Sequence, residues 1–177
     1  LEQVQDGETG MLLVRGDSIF DGYHSYEGPS PFVEVEDQQW YRTGDLVSAD
    51  EDGYLQFRGR LKRFLKAGGE MISLPALEKP FQKKFPADEN GPHVAVEGIE
   101  TAAGRMIVLF TTVDISMREA SEVLLEAGLR GVMRLDAVER IETIPVLGTG
   151  KTDYKSLRLQ VEALVEKGME RQSTKPV

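Results

Sequence analysis

The chain has 177 residues, a formal net charge of −9 at neutral pH and no cysteine. That length holds one medium domain, or a small domain beside part of another, and the lack of thiols excludes a disulfide framework, a thiolate metal site and a cysteine nucleophile. The acidity excludes a nucleic-acid binder working through a basic face, and the longest apolar runs, such as Met106 to Phe110, fall far short of the roughly 20 residues that cross a bilayer. No transmembrane, targeting or metal-binding segment is expected.

In chain order, Leu1 to Gly59 reads as β-rich. Met11-Leu12-Leu13-Val14, Phe32-Val33-Glu34-Val35 and Tyr54-Leu55-Gln56-Phe57 are strand candidates between Gly, Pro, Asp and Ser turns. Short strands without a helix are awkward as an independent domain, so residues 1–60 are expected to be the C-terminal end of a larger, missing N-terminal domain. From residue 61 the pattern changes. Arg63 to Ala67 and Met71-Ile72 predict a hairpin around Gly68-Gly69. Ser73 caps a helix with Pro75 in its first turn, ending at Phe85-Pro86. Val94-Ala95-Val96 and Arg105 to Val113 predict two strands around an exposed turn from Glu100 to Gly104. Ser116 and Glu119 form a capping box for a helix with Ala120, Val123 and Leu124 on its apolar face, stopped at Gly128. Val138 to Ile144 reads as a strand, and Leu157, Val161, Leu164 and Val165 recur at helical spacing. Residues 61–177 thus form an α+β unit, with a polar tail from about residue 168 expected to fray.

Charge is distributed in two blocks. Acids dominate from Glu34 to Asp52, and Arg58, Arg60, Lys62, Arg63 and Lys66 follow without an acid among them. On composition alone these are two solvated faces that balance each other. Gly148-Thr149-Gly150-Lys151-Thr152 has the ending of a phosphate-binding P-loop, but Pro145 stands where the first glycine belongs, and too few residues follow for a parallel nucleotide-binding sheet. Two readings of the loop stay open on its residues alone. It is a plain surface loop, or a mobile glycine loop that carries Lys151 into another domain's active site. His24 and His93 are isolated in sequence and read as surface residues.

Tyr41-Arg42-Thr43-Gly44-Asp45, Gly59-Arg60-Leu61-Lys62 and Pro145-Val146-Leu147-Gly148-Thr149-Gly150-Lys151, in this order and at this separation, resemble three signature motifs of the adenylate-forming superfamily. That superfamily comprises acyl- and aryl-CoA synthetases, peptide-synthetase adenylation domains and luciferases. The resemblance covers nearly the whole chain. It implies that residues 1–60 close the large AMP-binding domain and that 61–177 are the small mobile C-terminal domain, a short hairpin plus a three-stranded sheet with helices. By position, Asp45 matches the carboxylate that accepts hydrogen bonds from the AMP ribose, with Tyr41 in the same motif, and Arg60 matches an arginine that also reaches the ribose. Lys151 matches the catalytic lysine that bridges the carboxylate substrate and the nucleotide. Lys62 matches the hinge about which the small domain swings between an adenylating and a thioester-forming pose. Gly69 matches the residue beside the pantetheine channel, Lys66 lies on the same hairpin and is a candidate for the second half-reaction, and Glu78 matches a structural position. The implied cofactors are ATP/AMP and Mg²⁺, bound mostly by the missing domain, and the phosphopantetheine thiol of an acceptor.

Within the superfamily, the stretches Lys62 to Leu74 and Ile144 to Asp153 look most like bacterial acyl-acyl-carrier-protein synthetases, often fused behind a 2-acylglycerophosphoethanolamine acyltransferase. This implies a fatty acid substrate, acyl carrier protein as acceptor, and a place in the bacterial cytoplasm or on the cytoplasmic face of the inner membrane. The basic run from Arg58 to Lys66 would suit acidic carrier protein or the phosphates of CoA equally. A fatty acyl-CoA ligase and a non-catalytic carrier-protein docking module are the alternatives. The fragment alone is expected to be inactive.

Overall fold

The computed structural model describes residues 3–25, 27–67, 69–102 and 104–173. The chain divides into two compact units, Leu1–Lys62 and Arg63–Val177. The division falls two residues beyond the 60/61 boundary read from the sequence. Its place has a local reason: strand pairing persists through Arg60, and a 3₁₀ turn, Leu61–Arg63, follows directly.

The first unit is a four-stranded antiparallel sheet. Its centre is a strand the sequence reading missed, β3 (Gln38–Ala49), which pairs with β1 (Gly10–Val14), β2 (Phe32–Val35) and β4 (Leu55–Arg60). One strand serves three partners because its 12 residues outrun each of them, with register irregularities between Met11 and Leu13 and between Leu46 and Val47. Its polar residues hide it from a search for alternating apolar positions.

The second unit begins with the expected hairpin, β5 (Phe64–Ala67) and β6 (Glu70–Ser73). Ser73 caps α1 (Leu74–Lys84), its side chain accepting the Ala76 N–H. A three-stranded sheet follows in the order β7 (Val94–Thr101), β8 (Gly104–Thr111), β9 (Ala137–Arg140), with β9 parallel to β8. Between β8 and β9 lies α2 (Met117–Glu126), which carries the predicted capping box of Ser116 and Glu119. The strands β7 and β8 run on to Thr101 and from Gly104, so the turn is tighter than the exposed Glu100–Gly104 segment expected. Conversely β9 stops at Arg140 rather than Ile144, because β8 ends at Thr111 and offers nothing further to pair with.

Alternation along β7 and β8 splits the core by face. Val94, Val96, Ile107 and Leu109 pack with Leu65, Leu77, Phe81 and Val123, whereas Ala95, Ile99, Val108 and Phe110 pack with Leu157 and Val161 of α3 (Tyr154–Ser173). Gly98 permits the hairpin to approach the sheet. A Cβ there would lie 2.8 Å from the Met106 carbonyl oxygen and 2.9 Å from Leu65 Cδ1. The helix α3 continues past Gly168 to Ser173, since one glycine costs only about 1 kcal/mol in a helix. Residues 174–177 of the expected tail lie outside the described residues.

Candidate functional site

The first group of site residues is assembled on β3 and β4. Thr43 donates its hydroxyl to the Leu12 carbonyl at 2.8 Å and accepts the Asp45 N–H at 3.0 Å. Gly44, between them, has φ +75°, a left-handed conformation that a β-branched side chain would resist. The Thr-Gly-Asp sequence is therefore a kink that aims the carboxylate. Directly across the ladder stands Arg60, whose Nε reaches Asp45 Oδ1 at 2.7 Å. The Asp45 side chain is 25 % exposed and that of Arg60 64 %, so the pair is a solvent-facing arrangement. Tyr41 lies on the same strand, edge-on to Phe20 and Phe32. Its phenol is held above the ordinary tyrosine range, chiefly by the hydroxyl of Tyr23 at 3.5 Å.

In the second unit, Gly69 sits at the tip of the β5–β6 hairpin with φ +86° and open space where a Cβ would be. Lys66 on β5 is exposed, and its backbone N–H is taken by Glu100 Oε1 at 2.8 Å, which ties the hairpin to β7. Lys62 is exposed within the 3₁₀ turn.

The lysine loop is a small closed structure. Leu147 N–H donates to the Lys151 carbonyl at 2.8 Å, Gly150 N–H to Leu147 at 2.8 Å, and Asp153 N–H to Pro145 at 2.8 Å. A bridge between Val146 and Thr152 narrows its neck, and Gly150 takes φ +80° to complete the turn. Asp153 then caps α3. Its carboxylate accepts the Ser156 hydroxyl at 2.7 Å and the N–H groups of Lys155 and Ser156, and these bonds, the Ser156 hydroxyl first, hold it below the ordinary aspartate range. Lys151 is exposed beside the neck of the loop, a cation on a backbone held by its carbonyl bond to Leu147.

Two readings of charge need correction. The basic run is not one solvated face: the Arg63 side chain is 12 % exposed and points at Glu78 Oε2 (3.1 Å) and Glu97 Oε2 (3.6 Å). Nor is His93 isolated, since Nδ1 meets the Thr112 hydroxyl at 2.9 Å and Nε2 lies 3.1 Å from Asp88 Oδ2.

Around Arg63 the structure gathers a buried polar cluster that the sequence reading left dispersed. The Tyr154 hydroxyl donates to Glu78 Oε1 at 2.7 Å, and the Arg63 guanidinium carbon lies 3.4 Å from the centre of its ring. Burial, with the Glu78 charge beside it, pushes the Tyr154 phenol up to about 12, so it remains a donor. Burial also raises Glu97 above the ordinary glutamate range, against the Gly98 N–H and the Arg63 charge. The one signal available in the sequence was Glu97 itself, a carboxylate directly after the apolar stretch Val94-Ala95-Val96. Among the described residues, no group of three or more His, Cys, Asp or Glu side chains is arranged to hold a metal ion.

No family model matches the chain. Over 167 residues, 93 % of its length, it is 34 % identical to the 2,3-dihydroxybenzoate-AMP ligase of Bacillus subtilis (strain 168) and covers 30 % of that protein. Over 155 residues it is 31 % identical to enterobactin synthase component E of Escherichia coli (strain K12), covering 86 % of the chain and 28 % of that protein. Among solved structures, ATP-bound MatB from Rhodopseudomonas palustris aligns with a TM-score of 0.69 at 24 % identity, over 89 % of this chain and 31 % of that one. The chain therefore spans less than a third of the length of these relatives. Its homologues and structural neighbours are adenylate-forming ligases. In sequence and in fold, the chain matches the C-terminal part of adenylate-forming enzymes.

Proposed function

We propose that this chain is the C-terminal part of an ATP-dependent ligase that activates a fatty acid as acyl-AMP and passes the acyl group to the pantetheine thiol of acyl carrier protein. In the first step a carboxylate oxygen attacks the α-phosphorus of ATP and pyrophosphate leaves. In the second the thiol sulfur attacks the acyl carbonyl, AMP leaves, and the thiol proton is lost to solvent.

The observation that carries the reading is the kinked Thr43-Gly44-Asp45 segment with Arg60 across the ladder at 2.7 Å. A carboxylate offers only acceptors, which suits the hydroxyls of a ribose, and the guanidinium fixes its orientation. Lys151 supplies a positioned ammonium where two anions must meet, offsetting their repulsion as charge develops at phosphorus. Lys62 is the hinge, and Gly69 keeps the hairpin tip clear for a thiol arm, with Lys66 beside it. Mg²⁺ would act as the Lewis acid on the phosphates when bound, and the proposal leaves its binding mostly to the missing N-terminal domain.

A second reading has its own support. The similarity to an aryl-acid AMP ligase and to a feruloyl-CoA synthase from Amycolatopsis sp favours an aromatic acid as substrate and CoA as acceptor. The acceptor is decided by supplying the intact enzyme with acyl-AMP and either holo-carrier protein, apo-carrier protein or CoA. The proposal expects acyl transfer to holo-carrier protein and none to the apo form. Transfer to CoA alone moves the enzyme to the CoA ligases, and transfer to neither thiol leaves a docking role.

A further inference from the structure

We infer that Tyr154, Glu78 and Arg63 are positioning residues that fix the exit of the Lys151 loop to the point where the chain enters the second unit. The inference rests on the proposed role of Lys151.

The geometry is that of a saturated carboxylate. Glu78 is 4 % exposed, and an ionised carboxylate has about four acceptor sites. Its Oε1 accepts from Tyr154 Oη at 2.7 Å and Gln82 Nε2 at 2.7 Å, and its Oε2 accepts from Val96 N at 2.7 Å and Arg63 Nη2 at 3.1 Å. Each donor comes from a different place. Val96 offers an N–H on the outer edge of β7, the edge strand of the sheet. Gln82 is one turn along α1. Arg63 immediately follows Lys62, and Tyr154 opens α3, three residues after Lys151. One buried carboxylate thus joins the first residue of the unit, an edge of its sheet and the base of the lysine loop.

Stability alone does not account for this arrangement. A buried ion pair is often no more stabilising than apolar side chains of the same shape, because desolvation offsets the attraction. Here one guanidinium serves two carboxylates, and Arg63 Nε and Nη1 are buried without a hydrogen-bond partner among the described residues. What the cluster supplies is direction. The hydroxyl fixes the tyrosine ring, the ring carries the guanidinium over its face, and the neck of the loop closes through Asp153 N and Leu147 N. A loop of two glycines would otherwise spread its lysine over many positions, and misplacement of the order of 1 Å is costly to a step that depends on alignment.

The test is Tyr154→Phe in the intact enzyme, which keeps the ring beneath Arg63 and removes only the hydroxyl. Amide exchange at Leu147, Gly150 and Asp153 is expected to quicken by about tenfold, the factor for one lost buried hydrogen bond, with exchange along β7 and β8 unchanged. The kcat of adenylation should fall by tenfold to about a hundredfold, with KM for ATP and thiol transfer from supplied acyl-AMP unaltered. Unchanged exchange in the loop overturns the inference, and so does a rise of equal size in β7 and β8, which would report ordinary destabilisation. A loosened loop with undiminished adenylation also overturns it. Lys151→Ala measured in parallel then locates the fault: if it abolishes adenylation, positioning has failed alone, and if it too is silent, the reading of Lys151 has failed.

Discussion

Lys151→Ala in the intact enzyme is expected to cut carboxylate-dependent ATP–pyrophosphate exchange by about a hundredfold or more, the range seen when one preorganised electrostatic donor is removed from a transition state. The fold should not notice the change. Lys151 is exposed, and the bonds that close its loop are made by backbone atoms of Leu147, Gly150, Lys151 and Asp153. The melting temperature should therefore match that of the wild type. Thioester formation from supplied acyl-AMP should also continue, because by then no anionic carboxylate has to be brought to phosphate. A variant that loses both half-reactions equally would place Lys151 outside the adenylation step.

The second large effect is expected at Asp45. On the proposed ribose contact, replacing Asp45 by Ala removes one acceptor, and hydrogen bonds to a charged group contribute about 1.5–3 kcal/mol, so KM for ATP should rise by tenfold to about a hundredfold. The cost to folding is expected to be small. Arg60 is 64 % exposed and loses only a solvent-facing partner, and such pairs contribute about 0–1 kcal/mol. Steady-state kinetics beside a thermal melt separates the two effects. A fall in melting temperature without a change in KM would make Asp45 a structural residue of the β3–β4 ladder.

Much of the second unit was legible because its signals are local. Ser73 before Pro75, and Ser116 three residues before Glu119, mark helix starts through bonds that each helix makes with itself. The two glycines around position 69 mark the hairpin in the same way. The strand β3 was not legible, since Gln38, Gln39, Arg42 and Thr43-Gly44-Asp45 break any alternation, and its 12 residues are shared among three partners, one of them, β1, distant in sequence. The buried cluster was illegible for a related reason. Arg63 stands among exposed cations in the sequence, and only the packing of Glu78, Glu97 and Tyr154 from three other elements draws it inward. Asp45 and Arg60 were each recognisable from their motifs, but that they face each other across one ladder depends on a register no local pattern encodes.

The proposed function makes this chain part of an adenylate-forming ligase. It is tested most directly by ATP–pyrophosphate exchange with the intact enzyme across a panel of fatty and aromatic acids. Exchange is expected to require an added carboxylic acid, to be strongest with fatty acids, and to collapse with Lys151→Ala. Absence of exchange with every acid, or exchange undiminished in that variant, would contradict it.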